Sequence, residues 1–493
     1  MKIVTPKEMA RIEQLAYDAG CDEESFMQKA GSGVAEVALH LLKEHQLGKR
    51  VLLLCGKGNN AGDAYVAGLK LLERGYSVLA YQIEDINSCS PLCQLQYKRF
   101  KENKGFIVSN LESLAFADLI IDGIFGTGFH GKAEGIYAET IESVNRSNIP
   151  SLAIDIPSGL NGETGSVEGP AIHASATAFL GLPKQGFFLK EGWNHVGTLR
   201  YVDFGLPKEF IEKAKTPLEM LTPDTLKLPK IQANRHKYQA GEVVGVAGSP
   251  GMPGAAMLSS LAALRSGAGI VKLIYPKGME VELSASPYEL IRIPYTPDET
   301  ERALSLLDHA EALYIGPAMG RDHQAKNFLD TVLKKLQCPA VIDADALYHL
   351  AEHPVPIPPN SILTPHTGEC ARLLNNENAR PPDLELLNQC QQYVNKNATT
   401  LVLKGGPTCI FHPDAPIYIC PRGTPALATA GTGDVLTGIL AAMLAQGLSP
   451  LEAAKTGVYL HAASGENASQ VETVYGVIAS DIIEHLPEAF QEI

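Results

Sequence analysis

The chain has 493 residues, of which 45% are hydrophobic and 19% are charged, and its formal net charge is −14 at pH 7. A single hydrophobic core stops growing at about 250 to 300 residues, so this length predicts two domains, and the negative charge excludes nucleic acid and anionic membranes as general partners. No basic segment leading into an apolar run opens the chain, and no apolar run reaches the ~18 to 20 residues that cross a bilayer, so we expect a cytoplasmic protein.

The first half of the chain begins like a doubly wound sheet. Thr5 to Glu8 matches a capping box with proline at the first helical position, and two helices should follow up to about Glu44. The apolar run Arg50 to Cys55 predicts a buried strand, which leads into a glycine-rich turn from Gly56 to Asp63 and a helix from Ala64 to Arg74. Ligands of such sheets bind beyond the carboxyl ends of the strands.

Two more predicted strands end in polar groups that should reach the same edge of the sheet. Asp122 ends one strand and leads into Gly126 to Lys132, while Asp155 ends another and leads into Pro157 to Gly159. Each segment alone is typical of a turn, but three together favour a site. The available groups are oxygen donors without a Cys or His cluster, so a bound ion would be a hard cation and not zinc.

These three segments together resemble the NAD(P)H-hydrate epimerase domain, over most of residues 1 to 214. The resemblance implies that Asn60, Asp122 and Ser158 hold a potassium ion. It also implies dinucleotide contacts from Asn59, Asn60, Ala61, Gly62, Asp63, Gly126, Thr127, Gly128, Phe129, His130, Gly131, Lys132 and Asp155. Epimerisation at carbon 6 of the hydrated nicotinamide ring needs proton transfer, so we assign Asp155 as the acid–base group and Lys132 as a catalytic residue that helps to place the dinucleotide.

One departure from the family pattern bears on the strength of binding. The family usually has glycine at the positions of Ala61 and Ala64. An added methyl group at Ala61 would either crowd the pyrophosphate or require an ordinary backbone angle there.

A proline-punctuated stretch separates the two halves. Pro207, Pro217, Pro223 and Pro229 interrupt a lysine-bearing segment, which is typical of a linker. We therefore predict domains at residues 1–214 and 225–493, joined by a linker at 215–224. Strands and helices alternate again after the linker, with predicted strands that include Ala312 to Ile315, Ala340 to Asp345 and Thr400 to Leu403. This alternation predicts a second, mostly parallel α/β sheet.

The segment from Ala428 to Asp434 has the features of an anion site beside a carboxylate. Three small or glycine positions precede an apolar helix, and a helix N-terminus attracts anions such as phosphate. Phosphoryl transfer needs such a site together with a base, for which Asp434 is placed, although Asp434 could equally be a simple helix cap. Lys404, at a predicted strand end beside two glycines, could reach a phosphate, whereas His366 alone is more typical of a turn.

The second half resembles the ADP-dependent NAD(P)H-hydrate dehydratase domain, which has the ribokinase-like fold. The resemblance covers about residues 225 to 490 and rests on His236 to Tyr238, Gly248 to Ala255, Gly316 to Gly320, Asp343 to Leu347, Thr364 to Glu369, Lys404 to Thr408 and Gly431 to Asp434. It implies that the hydrate contacts Ala255, Gly320, His366 and Asp434. It implies that ADP contacts Lys404, Gly405, Gly406, Pro407, Thr408 and Gly433.

Both halves therefore predict action on one metabolite, as in a bifunctional NAD(P)H-hydrate repair enzyme with an N-terminal Rossmann-like sheet. Asp434 would take a proton from the hydroxyl group of the hydrate as that group attacks the terminal phosphoryl group of ADP, with Mg²⁺ and the Gly431 to Gly433 amides holding the developing charge. The resemblance also implies a homo-oligomer. The sequence leaves open ADP against ATP and NADH against NADPH, and two alternatives remain: a vitamin-precursor kinase, and a non-catalytic RNA or protein scaffold in the first half.

Overall fold

A computed structural model describes residues 1–296, 299–376 and 380–493. The chain divides into two compact units: a first unit, Met1–Leu218 with Pro381–Asp383, and a second unit, Glu219–Arg380 with Leu384–Ile493. Within the described ranges, no helix is both long and apolar enough to cross a membrane.

The first unit is an α/β structure in which strands and helices alternate. Its elements are β1 (Lys2–Ile3), α1 (Pro6–Asp18), α2 (Glu23–Glu44), β2 (Arg50–Cys55), α3 (Asn59–Glu73), β3 (Ser77–Gln82), α4 (Pro91–Glu102), β4 (Phe106–Val108), β5 (Leu119–Gly123), α5 (Gly135–Ser147), β6 (Ser151–Ile154), β7 (Ala176–Leu180), α6 (Trp193–Val196), β8 (Thr198–Val202) and α7 (Lys208–Glu212).

The strands β2 to β8 form one sheet in the order β4-β3-β2-β5-β6-β7-β8. Every neighbouring pair is parallel, because helices or long connections carry the chain back to the start of each next strand. The strand order reverses at β2, which pairs with both β3 and β5. A crevice therefore opens beyond the carboxyl ends of β2 and β5, as is typical of doubly wound sheets.

The predicted bounds of the first elements hold with one exception. The two N-terminal helices and the strand Arg50–Cys55 are confirmed. The helix predicted from Ala64 begins instead at Asn59, so the glycine-rich turn is limited to Gly56–Gly58. The side-chain amide of Asn60 donates to the carbonyl oxygens of Phe125 (2.8 Å) and Ile154 (3.1 Å), and these contacts fix the first helical turn against the sheet.

The second unit also alternates strands and helices, and β9 (Leu218–Met220) spans the division between the units. The remaining elements are β10 (Glu242–Val246), α8 (Gly254–Arg265), β11 (Ile270–Pro276), β12 (Leu290–Tyr295), α9 (Thr300–Ser305), β13 (Ala312–Ile315), α10 (His323–Lys335), β14 (Ala340–Ile342), α11 (Ala344–Glu352), β15 (Ile362–Leu363), α12 (Thr367–Leu373), α13 (Leu384–Asn397), β16 (Thr400–Leu403), β17 (Cys409–Phe411), β18 (Ile417–Ile419), α14 (Thr432–Ala445), α15 (Pro450–Gly476), α16 (Ala479–Glu484) and α17 (Leu486–Gln491).

The strands β10 to β18 follow the order β12-β11-β10-β13-β14-β15-β16-β17-β18. All pairs from β12 to β16 are parallel, while β17 and β18 extend the sheet in antiparallel fashion, so the prediction of a mostly parallel sheet is confirmed. The strand predicted to run through Asp345 ends at Ile342, because Ala344 already begins α11. Asp343 therefore lies at the strand end, where ligands of such sheets bind.

Two candidate active sites

The first unit has a cavity of about 580 Å³ at the carboxyl edge of its sheet. The cavity is open to solvent, and its walls come from the first three helices and from the loops that follow β2, β5 and β6. Its lining includes Glu13, Tyr17, Glu23, Phe26, Met27, Lys57, Asn59, Asn60, Asp63, Phe125, Gly126, Thr127, Gly128, Phe129, His130, Asp155 and Phe204. A mixture of aromatic and polar groups in such a crevice is typical of a site for a small molecule.

Asp155 and Lys184 form a buried ion pair at this cavity. The Lys184 side chain is fully buried, and its ammonium group donates to Oδ1 of Asp155 and to the carbonyl oxygen of Leu180, 3.2 Å away. Asp155 also accepts from the Leu180 backbone N–H at 3.0 Å, and its φ of +62° lies in the left-handed region. Non-glycine residues rarely adopt that conformation, so the surrounding contacts hold Asp155 in a strained position that directs it to the site.

Three further carboxyl groups, those of Glu13, Glu23 and Asp63, line the cavity with Asp155, and the pKa values of Glu13 and Asp63 are raised. Burial raises the pKa of Glu13 to about 7, where Asp155 and Glu23 add to the increase and the Lys184 ammonium opposes it. Burial also raises the pKa of Asp63 well above its ordinary value, with further contributions from Asp155 and Glu13. The site therefore combines an ion-paired carboxylate, Asp155, with the carboxyl group of Glu13, whose pKa lies near neutral pH.

Asp122 and Ser158 contact each other outside the cavity lining, whereas Asn60 lines the cavity and donates to backbone carbonyl oxygens after β5 and at the end of β6. Asp122 is fully buried, and its carboxylate accepts from the Ser158 hydroxyl (2.6 Å), the Ser158 N–H (2.8 Å) and the Ile124 N–H (3.2 Å). Burial raises the pKa of Asp122 to about 6, although these hydrogen bonds lower it. A buried carboxylate with only neutral partners among the described residues is a group that a cation would stabilise.

Most of the residues predicted for this site line the cavity, but four of them do not. Ala61 and Gly62 are buried in α3, Gly131 is exposed and Lys132 is an exposed residue beside Gly169. The methyl group of Ala61 therefore does not enter the cavity, and Ala61 keeps an ordinary helical backbone. Glu13 and Lys184 were not predicted for this site, although Lys184 lies shortly after the mostly apolar strand β7, where a lysine can belong to a strand-end site.

The second site is built at the N-terminus of α14. Gly431 caps this helix with a φ of +92°, and Asp434 lies in its first turn, confirming the predicted helix that follows the glycine-rich segment. Burial raises the pKa of Asp434 to about 7, to which the carboxylate of Asp343 also contributes, while Lys404 acts in the opposite direction. A carboxyl group with this pKa can accept a proton near neutral pH.

A network of charged groups surrounds Asp434. The Lys404 ammonium donates to Oδ1 of Asp343 (2.7 Å) and lies 3.9 Å from Glu369, and the Thr437 hydroxyl donates to Oδ2 of Asp343 (2.7 Å). Desolvation lowers the pKa of Lys404, but Asp343 and Glu369 outweigh this effect and raise it. Lys404 is therefore a positively charged group at the strand end, close to the position of Gly433, where an added Cβ would lie 3.3 Å from its Nζ.

The other predicted residues of this half lie at neighbouring strand and helix ends. Ala255 is in the first turn of α8, His366 caps α12, and Gly320 follows β13 and donates its N–H to Asp345 at 3.1 Å. The segment Lys404 to Thr408 follows β16, with Gly405 and Gly406 exposed and the Thr408 hydroxyl donating to the Gly405 carbonyl oxygen at 3.0 Å. The sequence interpretation assigned no role to Asp343, the residue that joins Lys404 to α14.

Two family models match the chain, one for each unit. The family described as YjeF-related protein N-terminus matches residues 23–186, and the family described as NAD(P)H-hydrate dehydratase matches residues 243–488. Each match contains most of one candidate site, and Glu13 of the first cavity lies outside the first match.

Relatives of full length are similar to the whole chain. The bifunctional NAD(P)H-hydrate repair enzyme Nnr of Moorella thermoacetica is 35% identical over 100% of this chain and 97% of its own. The enzyme of the same name from Vibrio cholerae is 33% identical over 98% of this chain and 97% of its own. Among solved structures, a ribokinase-like superfamily protein from Enterococcus faecalis is 28% identical with a TM-score of 0.51, covering 56% of this chain and 97% of that protein, which supports the ribokinase-like fold of the second unit.

Proposed function

Because the chain belongs to the family of bifunctional NAD(P)H-hydrate repair enzymes, we propose that its two sites act in turn on hydrated NADH or NADPH. The first unit interconverts the R and S epimers of the hydrate. The second unit dehydrates the S epimer to NAD(P)H while ADP is converted to AMP and phosphate. The observation that carries this proposal is the presence, in one chain, of an acid–base cavity at the buried Asp155–Lys184 ion pair and of a phosphoryl-transfer arrangement at Asp434.

In the first unit, the hydrate would lie in the cavity with its ring near Asp155. Exchange of configuration at carbon 6 requires the hydroxyl group to leave or the ring to open, and both routes transfer a proton. Asp155 is the acid–base residue of this proposal, and the Lys184 ion pair fixes its position. Lys132 lies outside the cavity lining, so its proposed contact is with an outer part of the dinucleotide.

The residues Asn60, Asp122 and Ser158 fit the potassium ion that the resemblance implies. Their side chains bring together amide, carboxylate and hydroxyl oxygens, and Asp122 is a buried anion with neutral partners. Hard cations prefer such oxygen ligands. The described residues contain no cluster of three Cys, His, Asp or Glu side chains that could hold a metal ion, which is consistent with a site that uses one carboxylate and neutral oxygens. A bound cation would hold the loops after β5 and β6 in place.

In the second unit, Asp434 takes the proton of the carbon 6 hydroxyl while the oxygen attacks the terminal phosphorus of ADP. The bond between that phosphorus and the bridging oxygen breaks, and AMP leaves with the electron pair. The ring nitrogen then expels phosphate, and loss of a proton from carbon 5 restores the ring double bond. Phosphate leaves far more readily than hydroxide, which is why the reaction consumes a phosphoanhydride.

The charges around Asp434 fit a nucleotide. Lys404 provides a cation for a phosphate, and the first N–H groups of α14 point toward the same region. Asp343 provides a carboxylate suited to Mg²⁺, which is held in phosphoryl-transfer sites by one or two carboxylates and by the phosphates themselves. Mg²⁺ would neutralise the charge of the phosphates.

The compartment and the assembly of the protein are also part of the proposal. All nine cysteines are free thiols, eight of them buried, which favours a reducing compartment such as the cytoplasm. The end of α15 and the residues that follow it expose four large apolar side chains close together in the sequence, and we assign them to contacts in the homo-oligomer: Val471, Val474, Tyr475 and Ile478. Sedimentation of the wild-type protein and of a Tyr475→Ser variant tests this assignment, since only the wild-type protein should remain associated.

Recovery of reduced-nicotinamide absorbance from a mixture of both epimers tests the proposed function. The assay contains the whole protein, Mg²⁺, K⁺ and either ADP or ATP. Comparison of the two reactions shows which nucleotide is the phosphoryl donor. We expect complete recovery with AMP as the product from ADP. The appearance of a stable phosphorylated compound without recovery of absorbance would contradict repair and favour a kinase.

A further inference from the structure

Glu13 faces the same cavity as Asp155 and has no role in the mechanism so far. It lies on α1, outside the strand ends that supply the other polar groups, and it lines the cavity together with Asp63 and Asp155. Its carboxyl group makes no hydrogen bond and no ion pair with another described residue. A partly buried carboxyl group without a partner loses hydration in the free protein, a cost that a role in binding or catalysis would explain.

Inversion of one carbon by loss and return of a hydroxyl group places two demands on the site. A proton donor must act on the face from which the hydroxyl leaves, and a proton acceptor must act on water that adds to the opposite face. One carboxylate held by Lys184 cannot serve both faces, since its position is fixed by the ion pair and by the Leu180 N–H. A second acid–base group is therefore needed.

We propose that Glu13 is a second catalytic acid–base residue of the epimerase site, acting on the face of the reduced nicotinamide ring opposite Asp155. This inference rests on the proposed epimerase function of the first unit. α1 supplies Glu13 from one wall of the cavity, whereas Asp155 follows β6 on the sheet edge.

The proposed step is balanced without any further reactant. The Glu13 carboxyl group gives its proton to the hydroxyl oxygen, the bond between carbon 6 and oxygen breaks with its electron pair on oxygen, and the ring nitrogen lone pair forms an iminium bond. Water then adds to carbon 6 from the other face, the iminium electrons return to nitrogen, and Asp155 accepts the proton that water loses. The opposite epimer reacts by the same steps in reverse, which restores both carboxyl groups.

The charges that face Glu13 suit a group that both gives and accepts protons. The titratable groups that face it are Tyr17 on the same helix and, on other elements, Glu23, Asp63, Asp155 and Lys184. Burial raises the pKa of Glu13 to about 7, where Asp155 and Glu23 add to the increase and Lys184 opposes it. Burial, together with the charges of Asp155 and Glu13, raises the pKa of Asp63 well above its ordinary value, and its carboxyl group lines the cavity as a polar contact for the substrate.

The Glu13→Gln substitution tests the inference, with Glu36→Gln as the matched control. Glu36 is an exposed glutamate on α2 that pairs with Arg74, far from any assigned role. Epimerisation is followed without nucleotide, so that dehydration is silent, and the urea unfolding midpoint of the fluorescence of Trp193, which lies in the first unit, reports correct folding of that unit. We expect Glu13→Gln to lower the rate of epimerisation by about 10² to 10⁴-fold. The pH profile of the remaining rate should no longer show a group that titrates near pH 7. Glu13→Asp should restore part of the rate.

The outcomes separate this inference from the proposed function. If the wild-type protein does not epimerise the hydrate, the proposed function fails and the inference fails with it. If the wild-type protein epimerises and Glu13→Gln retains its rate and pH profile, only the inference is overturned. A second measurement needs no variant: in ¹⁸O-labelled water, wild-type epimerisation should place one solvent oxygen on carbon 6 per inversion, and inversion without labelling would overturn the inference in favour of ring opening.

Discussion

The buried ion pair of Lys184 and Asp155 gives the sharpest prediction about the stability of the first unit. Lys184 is fully buried and the side chain of Asp155 is 12% exposed. Lys184→Met removes the ammonium group and leaves the Asp155 carboxylate buried without its counter-ion. Loss of one partner of a buried pair costs about 3 to 5 kcal/mol, because the remaining charge is left uncompensated.

The only tryptophan of the chain makes this effect measurable in the intact protein. Trp193 belongs to the first unit, and its ring lies 6.0 Å from that of Phe188. Tryptophan fluorescence during urea unfolding therefore follows the first unit alone. With an m-value of about 3 kcal/mol/M, a loss of about 3 to 5 kcal/mol lowers the midpoint by about 1 to 1.7 M.

The double variant Lys184→Met/Asp155→Asn separates the charge effect from lost packing. Asparagine keeps an oxygen that can accept from the Leu180 N–H but removes the charge. The double variant should therefore be more stable than Lys184→Met, with a coupling energy of at least about 2 kcal/mol. A Lys184→Met protein as stable as the wild type, or a double variant less stable than the single one, would refute this reasoning.

Three further predictions concern the ion site and the second unit. Ser158→Ala removes the 2.6 Å hydrogen bond to Asp122 and a proposed potassium ligand, so the K⁺ concentration for half-maximal epimerisation should rise at least about tenfold while dehydration is unchanged. The pKa of Asp434 is raised from 3.8 to about 7 in the folded protein, so its protonated carboxyl group favours the folded state at low pH. This contribution to stability is lost as the pH rises from about 4 to 7. Calorimetry at pH 7 should show that Asp434→Asn stabilises the second unit by up to about 4 kcal/mol, and the dehydration rate should fall at least about 10²-fold. A variant that is neither stabilised nor slowed would contradict the role of Asp434 as the base. Gly431→Ala places a non-glycine residue at a φ of +92° and puts its Cβ 2.6 Å from Cδ1 of Leu258. This strain should destabilise the second unit by at least about 1 to 2 kcal/mol without changing the rate of epimerisation.

Local sequence patterns predicted the strands and the strand-end residues well. The continuous apolar runs at Arg50–Cys55, Ala312–Ile315 and Thr400–Leu403 form strands with the predicted bounds. Strands buried on both faces need apolar residues at every position, so their pattern carries the signal by itself. The start of α3 was predicted too late, because its first turn is held by the tertiary contacts of Asn60 and not by local propensity.

The site residues that were missed are those whose partners are distant in sequence. Lys184 lies 29 residues after Asp155 and reaches it only because β7 pairs with β6. Asp343 meets Lys404 across 61 residues and Thr437 across 94 residues. A single sequence shows that such residues are polar, but not that folding brings them to the same edge of a sheet.

The central claim is that two separate sites in one chain act in turn on the same metabolite, and complementation of two inactive variants tests it most directly. Asp155→Asn should convert only the S epimer of a mixture to NAD(P)H, after which recovery should slow to the rate of uncatalysed epimerisation. Asp434→Asn should interconvert the epimers without restoring the absorbance of NAD(P)H. An equal mixture of the two variants should restore complete recovery, because the hydrate can diffuse from one active site to the other. If the mixture of variants recovers no more reduced-nicotinamide absorbance than Asp155→Asn alone, the two sites do not act in turn on the same metabolite.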